Sequence, residues 1–306
     1  MYGKGKRAGW IMIRMLLMVM CGLFSAVYAE AAAQIEVLPT YGQGDFVWSK
    51  AGVDNSPNIL SELTWRGLRS RGVQGVLRSD LNRDWYIEAA GEYGLFYAGA
   101  NQDSDYFGDN RTGEYSRSNN SGSGGHVFTA SLAVGRRLED DGAGRTRMLA
   151  GYAYSRQTLT ITDGFQTIPA TGSFDGLNSE YRAVWAGPWI GLEHRRQTGK
   201  RLNVTGRVEY HLPSYTGEAR WNLRSDLEQP VTNNHWAHGS GIRASLGLDY
   251  DAGSRWRLGV HVDYARHETG YGTDQVNISS GDKIRVRLNE AVWQSWACRV
   301  SANYRF

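Results

Sequence analysis

The sequence predicts an all-β fold, a ten-stranded antiparallel transmembrane β-barrel. Three observations carry that prediction. A basic and then apolar leader marks the chain for export, later segments alternate apolar and polar residues, and short turns alternate with long connections.

The leader, MYGKGKRAGWIMIRMLLMVMCGLFSAVYAE, places Lys4, Lys6, Arg7 and Arg14 around an apolar run from Met15 to Phe24 and ends on small residues. This is the pattern of a secretory signal peptide, with cleavage expected near Ala29 or Ala33. Residues 1–29 are therefore assigned to the signal and 30–306 to one barrel domain. Cys21 follows Met20, which does not suit lipid attachment at that thiol. The four leader cations account for the basic balance: the formal charge of +3 becomes −1 without them. Residues 30–306 carry nothing resembling the basic stripe that nucleic acid requires. Cys298 alone cannot form an intramolecular disulfide. No later apolar run has the length of a membrane-spanning helix.

With 11 Trp, 17 Tyr, 38 Gly and only 6 Pro, the composition favours strands joined by turns. Turn signals delimit strands near 35–48, 59–79, 85–99, 126–137, 146–161, 180–196, 201–215, 236–250, 255–268 and 291–306. The seventh alternates Leu202, Val204, Val208 and Tyr210 against Arg201, Asn203, Arg207 and Glu209. The ninth alternates Trp256, Leu258, Val260 and Val262 against Arg257, His261 and Asp263. The last alternates Trp296, Cys298, Val300 and Tyr304 against Ser295, Arg299, Ser301 and Arg305, and ends on Phe306, resembling the outer-membrane assembly signal. Gly187 and Pro188 interrupt the sixth strand and suggest a bulge.

Connections 81–84, 138–144, 197–200 and 251–254 are short; those at 49–58, 100–125, 162–179, 216–235 and 269–290 are long. Short periplasmic turns and long extracellular loops produce that contrast. Charge on one face only must then face the lumen, since Arg or Lys against mid-depth lipid costs about 2–4 kcal/mol. The inward set includes Glu88, Glu92, Arg207, Glu209, Arg243, Asp249, Arg257, Asp263, Arg299 and Arg305. Its mixed signs predict an ion-pair network filling much of a narrow interior. Trp185, Trp189, Trp293 and Trp296 are expected in the interfacial belts rather than in a sugar site.

SELTW (61–65), Asp80 with Leu81, AAG (89–91), Asp103 with Asp105, and GPWIGLE (187–193) resemble, in order and spacing, the omptins, ten-stranded outer-membrane surface proteases. The run DSDYFGDNRTGEYSRSNN (103–120) also resembles a chlamydia-type outer-membrane protein family described as candidate porins. The omptin resemblance implies two carboxylates on one side of an extracellular groove, here Asp103 and Asp105, and an Asp-x-His pair opposite. That pair should lie in YTGEARWNLRSDLEQPVTNNHW (215–236), where Glu218, Ala219 and Arg220 stand instead. Without a base the site should lose on the order of a hundredfold to ten-thousandfold in rate. His211, His235 and His238 are the imidazoles nearest the question, and are expected to be polar residues satisfied by their neighbours.

The acidic loop has two further readings. As a calcium loop it would use Asp103, Asp105, Gly108 and Glu114, but Phe107 and Arg111 fall where oxygens are needed. As a wet turn it would be held by Asp109 with Arg111, or Glu114 with Arg117, followed by a mobile tail at 116–125. No cofactor or metal is expected. The chain is expected in the outer membrane of a Gram-negative-type bacterium, in contact with membrane lipid and lipopolysaccharide. Its expected role is porin-like or surface-interaction, with an omptin-type endopeptidase using Asp103 and Asp105 as the alternative.

Overall fold

The computed structural model describes residues 33–253 and 256–304. The segment expected to be a signal peptide, with the cleavage expected near Ala29, lies outside the described residues, as do Arg305 and Phe306. Alternation produces thirteen strand segments: β1 (Ala33–Lys50), β2 (Ser61–Asp80), β3 (Trp85–Gly108), β4 (Thr112–Ser121), β5 (Gly125–Asp140), β6 (Gly144–Ile168), β7 (Gly172–Thr198), β8 (Leu202–His211), β9 (Ser214–Arg220), β10 (Asn233–Ala252), β11 (Trp256–Thr269), β12 (Gly272–Asn277) and β13 (Lys283–Tyr304). Three pairs of segments, β4 with β5, β8 with β9 and β11 with β12, share neighbouring strands on both sides. Each pair is one interrupted stave. The sheet is antiparallel and closes when β1 pairs with β13, a ring of ten.

Outward residues on the lower half are apolar and exposed: Ile35 and Val37 on β1, Ile190 and Leu192 on β7, and Leu258, Val260 and Val262 on β11. In water such a surface would be an aggregation hazard; in hydrocarbon it is matched. A tilted strand crosses the bilayer in about 9–11 residues. β7 has 27 residues, so the upper hairpins project well beyond the membrane.

Projection corrects several loop assignments. Most of 100–125 and 162–179 is paired sheet, not irregular loop. The Ser/Asn-rich stretch expected to be mobile is largely β4, hydrogen-bonded to β3 on one side and β6 on the other. Its polar residues look loop-like only while their strand partners are unknown. The bulge expected at Gly187 and Pro188 is also absent, because the β6–β7 register runs unbroken past both. The interruption falls on the facing stave, between β8 and β9, where Pro213 lacks an N–H. Gly187 accommodates it: a Cβ there would lie 2.3 Å from the Leu212 carbonyl oxygen.

Inside the membrane-level lumen the expected ion network is present. Glu88 accepts from Arg78 at 2.7 Å and from Arg207 at 2.8 Å, while Arg207 also meets Glu209 at 2.6 Å. Arg299 bonds Asp263 and reaches Glu92 at 2.7 Å, and Arg243 lies 3.2 Å from Asp263. Together with Asp249 and Arg257, these groups line a cavity of about 370 Å³. Charges taken from water persist there because opposite charges accompany them.

Above that network an aromatic layer crosses the barrel. Phe46 and Tyr181, on strands at opposite sides of the ring, have centroids 5.5 Å apart. Trp48 and Trp65 lie 5.8 and 5.7 Å from the same tyrosine ring. Trp185, Tyr215 and Trp293 belong to the same buried cluster. Trp185, Trp189 and Trp293 therefore do not form an interfacial belt as expected; they point inward, and only Trp296 of the four is exposed. Tryptophan suits both places, since its ring is apolar and its N–H needs only one partner.

Candidate functional site: an acid-lined extracellular cup

A register slip decides where the two aspartates point. Between Arg66 and Ser70 the β2–β3 pairing shifts. Gly67 adopts φ +62° there, in the left-handed region where a side chain is penalised, and its N–H donates to Asp45 Oδ1 at 2.7 Å. Below the slip, β3 turns Glu88 and Phe96 inward; above it, Asn101, Asp103 and Asp105 face inward. Asp103 stands opposite buried Leu63, and Asp105 opposite buried Ser61. The structure thus brings both predicted acids into one cup, floored by the aromatic layer.

Two carboxyls on one face compete for solvation. Burial and the neighbouring Asp105 push Asp103 up to about 7, against the opposing pull of Lys50 and Arg224. Burial likewise raises Asp105, opposed by a bond from Ser61 and by the same two cations. In the folded state Asp103 therefore keeps its proton above the pH at which an unfolded aspartate, near 3.9, has lost it. Stability should fall as pH rises through the window from about 4 to about 7, then level off. Asp103→Asn should flatten that slope. Urea midpoints of vesicle-inserted barrel at pH 5 and pH 8 measure it; an unchanged slope in the variant would refute the assignment.

The facing wall lacks the rest of an omptin-type site. On β9 the inward residues are Tyr215, Gly217 and Ala219, while Glu218 points out and pairs with Arg182 at 2.9 Å. His235 stands directly across from Gly217 on β10. Its Nδ1 lies 2.7 Å from the Tyr181 hydroxyl and its Nε2 3.3 Å from Asp274 Oδ1, so both ring nitrogens face protein partners. The ring is fully buried, edge-on to Trp48 at 4.7 Å. An imidazole enclosed in this way, with no exposed edge toward the cup, is not placed to activate a water beside the acid pair. His211 lies deeper, 2.8 Å from Glu209, and His238 is exposed. Among the described residues, the groups acting on the acid pair are Ser61, Lys50, Arg224 and Tyr115, with no imidazole.

The calcium arrangement is not formed either. Glu114 is bonded to Arg117, as the wet-turn reading expects, but Arg111 pairs with Glu62 rather than Asp109. Asp109 instead accepts from the Asn58 backbone at 2.7 Å. What pattern reasoning missed is the cross-strand assembly beneath the cup: Asp274 accepts from Lys50 at 2.9 Å and Asn233 at 2.9 Å beside His235.

These features define a bacterial outer-membrane β-barrel of omptin architecture. The chain belongs to the Protochlamydia outer membrane protein family, whose model matches residues 37–306. It is similar in fold to the outer membrane protease OmpT from Escherichia coli, with a TM-score of 0.73 and 13% identity over 90% of this chain and 97% of that one. The translocator domain of the autotransporter NalP from Neisseria meningitidis gives 0.39 and 14% over 98% of each chain. A Pseudomonas aeruginosa FadL homologue gives 0.33 and 9% over 89% and 90%. No curated protein sequence matches the chain.

Proposed function

We propose that the chain works at the cell surface as an interaction protein, using the extracellular cup and the projecting hairpins, without omptin-type proteolysis. The observation that carries this reading is the aromatic layer: Tyr181 touching Phe46, Trp48 and Trp65 fills the ring between the cup and the lower lumen. The cup then has acids on one wall and no available base on the other. Alanine at Asp103 and Asp105 should therefore leave cleavage of a dibasic peptide at the background level of the unaltered barrel, with lipopolysaccharide present. Cleavage that disappears in the double variant would overturn the non-proteolytic reading.

A porin-like role is the second reading, favoured by the charge-lined cavity of about 370 Å³ beneath the layer. Passage by that route needs the aromatic rings to move apart. Planar-bilayer recording separates the two: frequent steps from the unaltered barrel would favour passage over a closed lumen.

A further inference from the structure

The lower lumen is covered from above and reached from below. Phe96, Trp185 and Trp293, members of the aromatic layer, line the top of the charge-lined cavity, while Gln34, Asp80 and Arg145 line its other end, beside the short turns. Gln34 and Asp80 are exposed there, so the cavity meets water at the end that faces the periplasm in this architecture.

At that mouth the matching of lumen charges breaks down. The β6–β7 hairpin sets Arg145 directly across from Arg195, and one inward rung higher it sets Arg147 across from Glu193. Like charges directly opposite on adjacent strands are destabilising. Arg147 reaches Glu193 at 3.4 Å, Arg145 is drawn to Asp140 at the end of β5 at 2.9 Å, and Arg257 on β11 bonds Asp251 at 2.9 Å. Arg195 is half-buried and lines the cavity, yet among the described residues it forms no ion pair. The strongest charge acting on it is repulsive, from Arg257; Asp249 and Glu193 attract it. Those two carboxylates are already engaged, Asp249 by His261 at 3.5 Å and Glu193 by Arg147 and Arg207.

We infer that Arg195 and Arg145, with Arg257 at the same end of the lumen, form a periplasm-facing binding site for the phosphate group of a small solute. Two guanidinium forks that start about 5 Å apart on adjacent strands can hold one oxyanion between them. A single fork fills the two oxygens of a carboxylate, whereas a phosphate keeps further oxygens for the second fork. Its negative charge offsets the repulsion between the forks and gives Arg195 the partner that the protein does not supply. The cavity of about 370 Å³ has room for the organic part of a small phosphomonoester beneath the aromatic layer. Binding here needs neither passage through that layer nor any chemistry in the cup.

The test uses mature barrel in phosphatidylcholine nanodiscs, titrated by calorimetry with glycerol 3-phosphate, inorganic phosphate, acetate and glycerol. Both phosphates should bind, acetate should bind more weakly, and glycerol should give no signal. Tighter binding of the ester assigns the site to phosphomonoesters; equal binding assigns it to the free ion. Arg195→Gln should weaken phosphate binding about tenfold, the loss expected of one charge-assisted fork. Arg195→Lys, which keeps the charge without the fork, should fall between. Arg266→Gln, at an exposed arginine bonded to Glu268, should bind as the unaltered barrel does. Heat-dependent gel migration verifies folding of each protein, and urea unfolding supplies a second readout. Without phosphate, Arg195→Gln should be at least as stable as the unaltered barrel, because it relieves a like-charge pair. Added phosphate should raise the urea midpoint of the unaltered barrel more than that of the variant. Absence of phosphate binding, acetate binding as tight as phosphate, unchanged affinity in the folded glutamine variant, or a variant destabilised in phosphate-free buffer would each overturn the assignment.

Discussion

Asp274→Ala is expected to cost about 3–5 kcal/mol of stability, the usual consequence of removing one partner from a buried ion pair. Asp274 is fully buried and accepts from Lys50 at 2.9 Å, from Asn233 at 2.9 Å, and faces His235. Alanine would leave the Lys50 ammonium, itself only 16% exposed, without its carboxylate. It would also free one side of the His235 ring. Urea unfolding of vesicle-inserted barrel measures the effect, and a loss under about 1 kcal/mol would show that Lys50 finds another acid or water. Lys50→Met with Asp274→Leu supplies the control. Removing both charges together should cost much less than removing one, because no ion remains uncompensated.

The pH behaviour of Asp274 is opposite in sign to that of Asp103. Burial would raise Asp274, but Lys50 and His235 outweigh it and hold the carboxyl well below the ordinary range. Its stabilising contribution is therefore present above the unfolded aspartate range and is lost only in strong acid. Asp103, without a close ion pair, works against stability once pH rises through its window toward about 7. Two aspartates lining one extracellular interior thus report two environments: one compensated, one not.

Period-two alternation made the barrel legible, because lipid and lumen impose opposite requirements on successive residues. It also identified the inward charges of β3, β8, β10, β11 and β13. The orientation of the acid pair was not legible in the same way. Carrying the Glu88 and Glu92 parity onward puts Asp103 and Asp105 outside; the paired irregularity, Arg66 to Ser70 on β2 against Phe96 to Ala100 on β3, reverses the face of both strands. The missing half of the omptin-like site was visible as Glu218, Ala219 and Arg220. The His235–Asp274 contact was not, since those residues become neighbours only through the β10–β12 register. Likewise, β4 was hidden by its Ser and Asn content, whose backbone groups are satisfied by strands distant in sequence.

Trp65→Ala combined with Tyr181→Ala should raise the frequency of current steps above that of the unaltered barrel. Trp65 and Tyr181 are fully buried, and Tyr181 is the ring shared by Phe46, Trp48 and Trp65 across the lumen. Truncating both removes the layer's centre while leaving the backbone hydrogen bonds of β2 and β7. Each large aromatic truncation costs about 3–5 kcal/mol in a packed interior. Loss of the Tyr181 hydroxyl also removes a partner from Tyr215 and from His235 Nδ1. The cavity opened above the ion network would be lined partly by Asp103 and Asp105, so water can enter it where an apolar void would stay dry. Planar-bilayer steps frequent in the folded double variant and rare in the unaltered protein are the expected result. Trp296→Ala, at an exposed outward position, should show no more steps than the unaltered barrel. A folded double variant with no added steps would place the barrier in the charge network below, where Glu88 joins Arg78 and Arg207, rather than in the aromatic layer.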